Sequence, residues 1–521
     1  MEEIMDKVES VRNVLFFIAL LLPLLVLIFM HIKFKSQKHL LLPPGPKPWP
    51  IIGNFLQLGK NIHASLAHLA QVHGPLISLR LGSQLLVVGS SPAAGTEILK
   101  THDRILSSRL IPHAFHAKQH EYNKLSFVWA SKCTDEWRNL RIICRTNLFS
   151  TKMIDSQAAL RENKVKELME FLRTNEGKVV KIGELVFITI VNTLSTLFFS
   201  KDFISLEDEG VGGEVKDNIR RISEVGSTPN LADYYSILSG LDLQGLTKNM
   251  MVCVRKLFVS WDALIKERRK SKRPTPSTNG DFLDVLLSNA FIDEQINHLI
   301  FDLFAAGADT STSTIEWAMA ELIKNREIMG KVSEELTNEI KSNIVKESEL
   351  SHLSYLNVCV KETLRLHCPI PVVLRRATET CNLMGYTIPK DTQVWVNLWA
   401  IGRDSRSWED PLTFQPGRFL NSNLDFKGND FEFFPFGSGR RMCPGLPFAT
   451  KMIPLVIASF IHSFDWYLPL DMCPTKLDMN EKFGMTLKKE HVVAYSQPSS
   501  SSRTLEGYIE AYMNTSKSIQ P

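Results

Sequence analysis

The sequence predicts a mainly α-helical protein with small β-sheets, built as one large domain behind an N-terminal transmembrane helix. Three observations lead to this prediction. Residues 13–32 form an uncharged apolar run, residues 92–344 are dominated by segments of helical periodicity, and strand-like stretches are short and lie on either side. No linker rich in Gly, Ser or Pro divides the middle of the 521-residue chain, so a single domain is expected over residues 55–497.

The apolar run Asn13–Ile32 contains no Asp, Glu, Lys or Arg. Twenty helical residues rise about 30 Å, which is enough to cross the hydrocarbon core of a bilayer. A cleaved signal peptide is the alternative, but the run exceeds a usual signal-peptide core and no small-residue cleavage site follows. Basic residues stay on the cytosolic side of a membrane, and three follow the run, namely Lys33, Lys35 and Lys38. Residues 1–32 are therefore predicted to form a luminal N-terminus and single-pass anchor, with the large domain in the cytosol.

Two segments of biased composition flank the predicted domain. Residues 33–54 are basic and then proline-rich, with five prolines between Pro43 and Pro50. This density of proline excludes a helix or a central strand and indicates a stiff linker. Residues 498–521 form a Ser-rich polar tail.

Within the domain, two strand regions and one long helix can be located. Leu76–Leu81 and Leu85–Val88 flank Gly82 and predict a β-hairpin. Phe291–Asn325 contains a single long helical pattern, and Met384–Val396 predicts the second strand region.

Composition excludes several classes of protein. With 44% hydrophobic and 22% charged residues, the chain is globular rather than disordered. A net charge of +4 argues against a dedicated nucleic-acid binder. The eight cysteines are irregularly spaced and include no C-x-x-C pair, which excludes a disulfide scaffold or zinc ribbon and fits a reducing compartment.

One cysteine near the C-terminus has the surroundings of a metal ligand. Phe436–Gly445 reads F-G-S-G-R-R-M-C-P-G, and Cys443 lies just ahead of the apolar segment Leu446–Ile461. Glycines let the backbone approach a flat cofactor, and backbone amides at a helix N-terminus stabilise a thiolate. Arg441 is suited to neutralise a carboxylate of such a cofactor.

This motif resembles the haem-binding signature of the cytochrome P450 family, with Phe436, Gly439, Arg441, Cys443 and Gly445 in register. The resemblance covers nearly the whole chain, to about residue 496, and implies the cytochrome P450 fold. It also implies that Cys443 is the axial thiolate ligand of a haem b iron. Such a ligand pushes electron density onto the iron and favours cleavage of the O–O bond of dioxygen.

A second motif, F-A-A-G-A-D-T-S, occupies residues 304–311 in the middle of the long helical pattern. Glycine costs about 1 kcal/mol in a helix interior relative to alanine, but Gly307 suits a helix that runs across a cofactor. The resemblance implies that Asp309 and Thr310 relay protons to bound dioxygen. The alternative is a helix kink in which Thr310 bonds back to a carbonyl.

Glu362 and Arg365 resemble the E-x-x-R motif of the family, in which the buried pair is joined by an arginine from a later segment, here Arg418. Outside this family such a pair is commonly a solvated surface contact. The glutamate that the family usually has before that arginine is Gly417 in this chain. This departure puts the stability of the region in question, but not the chemistry.

Further residues are implied to bind the haem propionates. Trp137 and Arg141 resemble the family's W-x-x-x-R motif and share one helical face, and Arg376 is the third such residue. Arg375 and Cys368 occupy positions where the family more often has proline. The candidate pocket walls are Ala305–Thr310, Ile370–Leu374 and Met485, with core packing as the alternative, and the two interpretations are equally compatible with Val372, Val373 and Met485.

The chain has no G-x-G-x-x-G fingerprint after a strand, so its electrons must come from a partner. For a membrane-anchored member that faces the cytosol, the resemblance implies NADPH–cytochrome P450 reductase at the endoplasmic reticulum membrane. The expected partners are this reductase, membrane lipid and a small-molecule substrate, with no nucleic acid.

Four shorter segments, 100–107, 133–137, 425–431 and 483–487, are similar to an alkaloid-metabolising plant family. That family includes N-methylcoclaurine hydroxylases, corytuberine synthase and littorine mutase. The resemblance implies a monooxygenase that hydroxylates an alkaloid or rearranges its carbon skeleton, as littorine mutase does in tropane biosynthesis. A benzylisoquinoline hydroxylase or phenol-coupling enzyme is the alternative.

Residues 242–245 are also similar to monoterpenoid hydroxylases, which keeps that class open. A haem isomerase that needs no reductase is disfavoured by the acid–alcohol pair Asp309–Thr310.

Overall fold

A computed structural model describes residues 40–118, 125–207, 211–238, 240–271, 280–469, 473, 477–484, 486–489 and 493–498. The predicted membrane anchor over residues 13–32, residues 499–521 of the predicted tail, and Met485 lie outside these ranges. The described chain is mainly helical with small sheets, which confirms the predicted fold class.

The helices run in this order: α1 (Phe55–Leu58), α2 (Ile62–His73), α3 (Pro92–Thr96), α4 (Asp135–Asn147), α5 (Thr151–Ser156), α6 (Ala158–Thr174), α7 (Ile182–Phe199), α8 (Val211–Ser227), α9 (Leu231–Tyr234), α10 (Leu246–Lys270), α11 (Phe282–Ser288), α12 (Asp293–Lys324), α13 (Arg326–Glu339), α14 (Ser354–Leu366), α15 (Leu398–Ile401) and α16 (Leu446–Ser463). A π-helix at Glu97–Thr101 continues α3, and short 3₁₀ helices include Pro416–Phe419 and Gly439–Arg441.

The strands are β1 (Leu76–Leu81), β2 (Gln84–Gly89), β3 (Val179–Lys181), β4 (Val372–Arg376), β5 (Cys381–Leu383), β6 (Tyr386–Ile388), β7 (Gln393–Asn397), β8 (Phe464–Tyr467), β9 (Glu481–Lys482), β10 (Lys488–Lys489) and β11 (Val493–Pro498). They form a four-stranded sheet of order β1-β2-β7-β4, a three-stranded sheet of order β3-β11-β8, and the pairs β5–β6 and β9–β10. Only the β2–β7 pairing is parallel among these described ladders.

The long helix α12 is the centre of the domain. It spans 32 residues, as the pattern over 291–325 predicts, and most of its side chains are buried. Helices α7 and α16 pack against it. Within the described ranges, α7 and α16 are also long and apolar enough to span a membrane by length and composition, but most of their residues are buried inside the domain.

The predicted hairpin is confirmed as β1 and β2, and Gly82 in the turn has φ +55°, a left-handed conformation that favours glycine. The second strand region begins earlier than the pattern predicts, because β4 and β5 precede β6 and β7. β4 pairs with β7 in antiparallel register, so residues predicted only as pocket wall also belong to a sheet.

The described part of the proline-rich linker packs on β1. Ser78 donates hydrogen bonds through Oγ to Pro43 O (2.6 Å) and through its backbone N to Pro44 O (2.9 Å). Asn54 N donates to Arg80 O (2.7 Å). The stiff segment is therefore attached to the four-stranded sheet.

Candidate active site

Cys443 lies in a tight loop that leads into α16. Its backbone N donates to Phe436 O (2.9 Å) and closes the loop. Gly437 and Gly439 both have φ +71°, and a side chain at Gly439 would collide with Leu99 O. The glycines in this motif are therefore required by the backbone conformation and by close packing against the Glu97–Thr101 turn.

The Cys443 side chain has accessible surface, although protein groups surround it. Burial raises the pKa of the Cys443 thiol, while the backbone amides of Gly445 and Leu446 and the Arg141 guanidinium lower it. Accessible surface and burial are compatible if the sulfur faces a space inside the domain rather than bulk solvent. This environment suits a thiolate whose negative charge is balanced by a bound metal cation.

Four arginines surround the loop on one side: Arg109, Arg141, Arg375 and Arg441. Burial lowers the pKa of each, and the guanidiniums of Arg109, Arg375 and Arg441 are further disfavoured by at least one other member of the group. The pKa of Arg375 falls to about 10. Within the described residues, no carboxylate forms an ion pair with any of the four. A concentration of buried positive charge without a directly paired carboxylate indicates a site for an anionic ligand.

Two of these guanidiniums also have nitrogens without a partner. Arg441 donates through Nε to Ser107 O and through Nη2 to Ala130 O (2.6 Å), but its buried Nη1 donates to nothing described. The buried Nε of Arg109 likewise has no acceptor. Unsatisfied buried donors are rare in folded proteins, and they indicate a missing acceptor.

Trp137 supports this cluster rather than offering a free donor to it. Its indole Nε1 donates to Phe127 O (2.9 Å). The guanidiniums of Arg141 and Arg441 each lie 5.2 Å from its ring centroid, within the range of cation–π attraction. Arg141 Nη2 donates to Met442 O (2.8 Å) and ties α4 to the cysteine loop.

Arg376 has a different set of contacts, and its buried Nε has no acceptor among the described residues. Its Nη2 pairs with Asp391 Oδ1 (3.0 Å), and the two side chains are 31% and 59% exposed. The preceding residue, Arg375, is buried. Successive residues of a strand point to opposite faces, so Arg375 and Arg376 lie on different faces of the sheet.

The middle of α12 borders an interior space. Ala306 is exposed, whereas Phe301–Phe304 and Ala308 are buried. Thr310, one turn later, donates its hydroxyl to Ala306 O (2.7 Å). Gly307 faces the other way, because an added Cβ would lie 3.1 Å from Leu194 Cδ1 on α7. The glycine thus allows α7 and α12 to approach each other. It does not create space on the side of α12 that carries Ala306.

The carboxylate of Asp309 points away from the Thr310 hydroxyl. Ser223 Oγ on α8 donates to Asp309 Oδ2 (2.5 Å), and Lys488 Nζ on β10 pairs with Asp309 Oδ1 (3.0 Å). Asp309 is buried, whereas the Lys488 side chain is 37% exposed. The acid and the alcohol are adjacent in sequence, but they make separate contacts.

The E-x-x-R motif forms a buried triad. Arg365 binds both oxygens of Glu362 (2.7 and 2.8 Å), and Arg418 Nε donates to Glu362 Oε1 (3.0 Å). Gln415 Oε1 accepts from Arg418 Nη2 (3.2 Å). An added Cβ at Gly417 would meet nothing within 4 Å. The triad therefore forms without the glutamate that usually precedes Arg418.

Arg109, Arg375, Ser223 and Lys488 are site residues that the sequence patterns did not single out. Alternation in β4 is a signal that could have identified Arg375, if its register had been known. Lys488 has no such signal, because 179 residues separate it from Asp309.

Comparisons with known proteins agree with this geometry. The family model "Cytochrome P450" matches residues 43–493. The chain is 48% identical to (S)-N-methylcoclaurine 3'-hydroxylase isozyme 1 of Papaver somniferum, over 90% of this chain and 98% of the relative. It is 47% identical to corytuberine synthase of Coptis japonica (90% and 96%) and 42% identical to geraniol 8-hydroxylase of Swertia mussotii (89% and 95%). The chain belongs to the cytochrome P450 family and is a cytochrome P450 monooxygenase.

Proposed function

We propose that this chain is a haem-thiolate monooxygenase that hydroxylates or oxidatively couples a benzylisoquinoline alkaloid. Two relatives with nearly full coverage, at 48% and 47% identity, have names that state these activities. The geraniol hydroxylase is less similar, at 42%. Rearrangement of the littorine mutase kind is the second alkaloid reaction, and it is retained because pocket shape, not the motifs, decides the fate of an oxidised substrate.

The observation that carries the cofactor assignment is the set of buried arginines near Cys443 that have no directly paired carboxylate among the described residues. Haem carries two propionate carboxylates, which would supply the missing counter-ions and accept from Arg441 Nη1 and Arg109 Nε. Arg375 and Arg141 would add positive charge at the same place. The residues present therefore fit a haem, with Cys443 as the axial ligand.

When bound, a haem with a cysteine thiolate ligand supplies the activation of dioxygen. The chain itself has to hold the cofactor, exclude water and supply protons. Arg109, Arg141, Arg375 and Arg441 would hold the propionates, and Trp137 would keep two of these arginines in place. Arg376 stays a proposed propionate partner, because its buried Nε has no acceptor among the described residues, although its Nη2 pairs with Asp391.

Asp309 and Thr310 are the proposed proton donors. Thr310 Oγ1 has to turn away from Ala306 O before it can donate elsewhere. Lys488 Nζ reaches solvent and contacts Asp309 Oδ1, so it connects the buried carboxylate to the protons of bulk water. Ser223 holds the other carboxylate oxygen. A hydroxyl and a carboxylate in this arrangement are suited to general acid catalysis.

Electrons are proposed to come from NADPH through a reductase. The proposed location is the endoplasmic reticulum membrane, with the domain cytosolic. Support comes from the uncharged run Asn13–Ile32 and the lysines after it.

Substrate-binding difference spectra on microsomes that carry the full chain would test this function. The reduced carbon-monoxide band is confirmed first, and (S)-N-methylcoclaurine, littorine and geraniol are then titrated in parallel, followed by product analysis with added reductase. A high-spin shift and product with N-methylcoclaurine would support the proposal. A response to littorine alone would replace the substrate, and a response to geraniol alone would overturn the alkaloid assignment.

A further inference from the structure

Asp302 is a buried acid on the side of α12 that carries Ala306. The proposed proton delivery to dioxygen does not use this acid. It precedes Ala306 by four residues and Thr310 by eight, and residues four apart in a helix lie on one face. Ala306 is the exposed residue of that face, whereas Asp302 is 2% exposed. Asp302 therefore lies at the edge of the interior space that Ala306 and Thr310 border.

The two carboxylate oxygens of Asp302 have different surroundings. Oδ2 accepts three hydrogen bonds, from Ser126 Oγ (2.6 Å), Phe127 N (2.9 Å) and Val128 N (3.1 Å). Oδ1 accepts none from the described part of the chain, yet it is not among the fully buried atoms that lack a partner. One oxygen thus fastens the segment before α4 to α12, and the other keeps a small accessible surface on a side chain that is 2% exposed as a whole.

The negative charge of Asp302 is incompletely compensated. Burial raises the pKa of Asp302 to about 7, although its three hydrogen bonds and the Arg109 guanidinium lower it. The other titratable neighbour is the Cys144 thiol, whose pKa is raised to about 12 by burial and, in smaller part, by Asp302. No cation forms an ion pair with Asp302 among the described residues, so a cationic ligand would find an unpaired acceptor there.

We propose that Asp302 Oδ1 accepts a charge-assisted hydrogen bond from the protonated amine of the substrate. The inference rests on the proposed function, since benzylisoquinoline and tropane alkaloids are both amines, and it specifies how the site recognises them. A buried ammonium group needs a carboxylate partner, because an unpaired charge in an apolar site is strongly unfavourable. Arrival of the ammonium also lowers the pKa of Asp302 and keeps the carboxylate ionised.

Anchoring of the 126–128 segment alone would not require Oδ1, because all three anchoring bonds end on Oδ2. The accessible second oxygen distinguishes a ligand acceptor from a purely structural acid. Phe127 and Val128 are held beside it by the same bonds, so the acceptor is positioned by three fixed donors before the ligand arrives.

The test compares each amine with an uncharged analogue on the full-length holoenzyme. The ligands are (S)-N-methylcoclaurine and littorine, each paired with the analogue in which an N-formyl group replaces the N-methyl group and removes the charge. Kd is measured from difference spectra for the wild type, Asp302→Asn, Asp302→Glu and Ser126→Ala. Ser126→Ala is the matched control, because it removes one anchoring bond and leaves the charge.

We expect the wild type to bind at least one amine about tenfold or more tightly than its neutral analogue. Asp302→Asn should lose that preference, Asp302→Glu should retain part of it, and Ser126→Ala should weaken both members of a pair equally. If Asp302→Asn weakened the binding of the amine and of its neutral analogue equally, Asp302 would only hold the 126–128 segment in place. That result would overturn the inference.

If Asp302→Asn does not fold, the wild type still decides, since absence of any preference for the charged ligands overturns the inference. If the wild type discriminates the littorine pair but does not bind N-methylcoclaurine, the amine acceptor is supported, while the benzylisoquinoline substrate is not.

Discussion

Lys488 Nζ lies 3.0 Å from Asp309 Oδ1, so the C-terminal β9–β10 hairpin supplies the counter-ion of the acid in the centre of α12. The same strand region is fastened to the helix a turn later, because Ser313 Oγ donates to Leu487 O (2.6 Å). The hairpin therefore sets both the position and the charge environment of Asp309.

We predict that Lys488→Ala slows proton delivery without removing the cofactor. Asp309 would lose its cationic partner, and the pair is worth roughly 1 kcal/mol because Lys488 is partly exposed, which corresponds to about a fivefold loss of product per NADPH consumed. The measurement is product yield against NADPH oxidation, with the solvent isotope effect. Lys482→Ala on the paired strand is the control, and equal behaviour of the two variants would contradict the prediction.

Thr310→Ala should uncouple NADPH consumption from product formation. The change removes the hydroxyl that donates to Ala306 O, so a proton would have to come from less ordered water. Product should fall by about 10²-fold, the lower end of the contribution of a positioned proton donor, while NADPH oxidation continues. Thr312→Ala, which removes a similar bond to Ala308 O on a buried face of the helix, is the matched control. Unchanged coupling in Thr310→Ala would remove this residue from the proposed relay.

Cys443→Ala should abolish haem-thiolate absorption. No other cysteine lies at the start of α16, and Cys133, which is near the same arginines, precedes α4 in a different segment. The reduced carbon-monoxide spectrum measures this directly, with Cys381→Ala as a control on a buried cysteine of a distant strand. A normal spectrum in Cys443→Ala would show that the ligand assignment is wrong.

The parts that could be predicted from the sequence are those carried by contiguous residues. The long pattern of α12 and the hairpin around Gly82 are local, and the structure confirms both. The Cys443 motif was recognisable for the same reason, since its glycines are required by the backbone of one loop. Side-chain pairs brought together from distant segments are not local, and Lys488–Asp309 is of that kind.

Strand register is the second limit. The pattern R-R at 375–376 contains two chemically identical candidates, and a shift of one residue exchanges which of them faces the interior. The family motif points to Arg376, which stays a proposed haem partner, whereas the burial of Arg375 follows only from the pairing of β4 with β7. Asp302 could not be predicted for a different reason. The sequence pattern of an apolar helix does not reveal which loop an acid in it binds, or that one of its carboxylate oxygens has no donor.

Gly417→Ala should stabilise the folded protein. Gly417 has an ordinary negative φ, since it is not among the glycines with positive φ, and an added Cβ would contact nothing. Replacing such a glycine reduces the entropy of the unfolded chain and adds about 0.4–1 kcal/mol of stability. Thermal unfolding of the holoenzyme measures the effect. A loss of stability would mean that the Glu362–Arg418 pair depends on the backbone conformational freedom of glycine at residue 417.

Arg375→Met and Arg376→Met should separate the two candidate propionate partners. Arg375 is buried, and the other guanidiniums help to lower its pKa to about 10, so its removal should relieve repulsion and stabilise the haem-free protein while haem is released faster. Arg376 pairs with Asp391 and keeps a buried Nε without an acceptor among the described residues, so its removal should also speed haem release but should not stabilise the haem-free protein. Haem transfer to an apo-globin acceptor and unfolding of the haem-free protein measure both effects. Haem release at the wild-type rate in Arg376→Met would remove Arg376 from the proposed propionate partners.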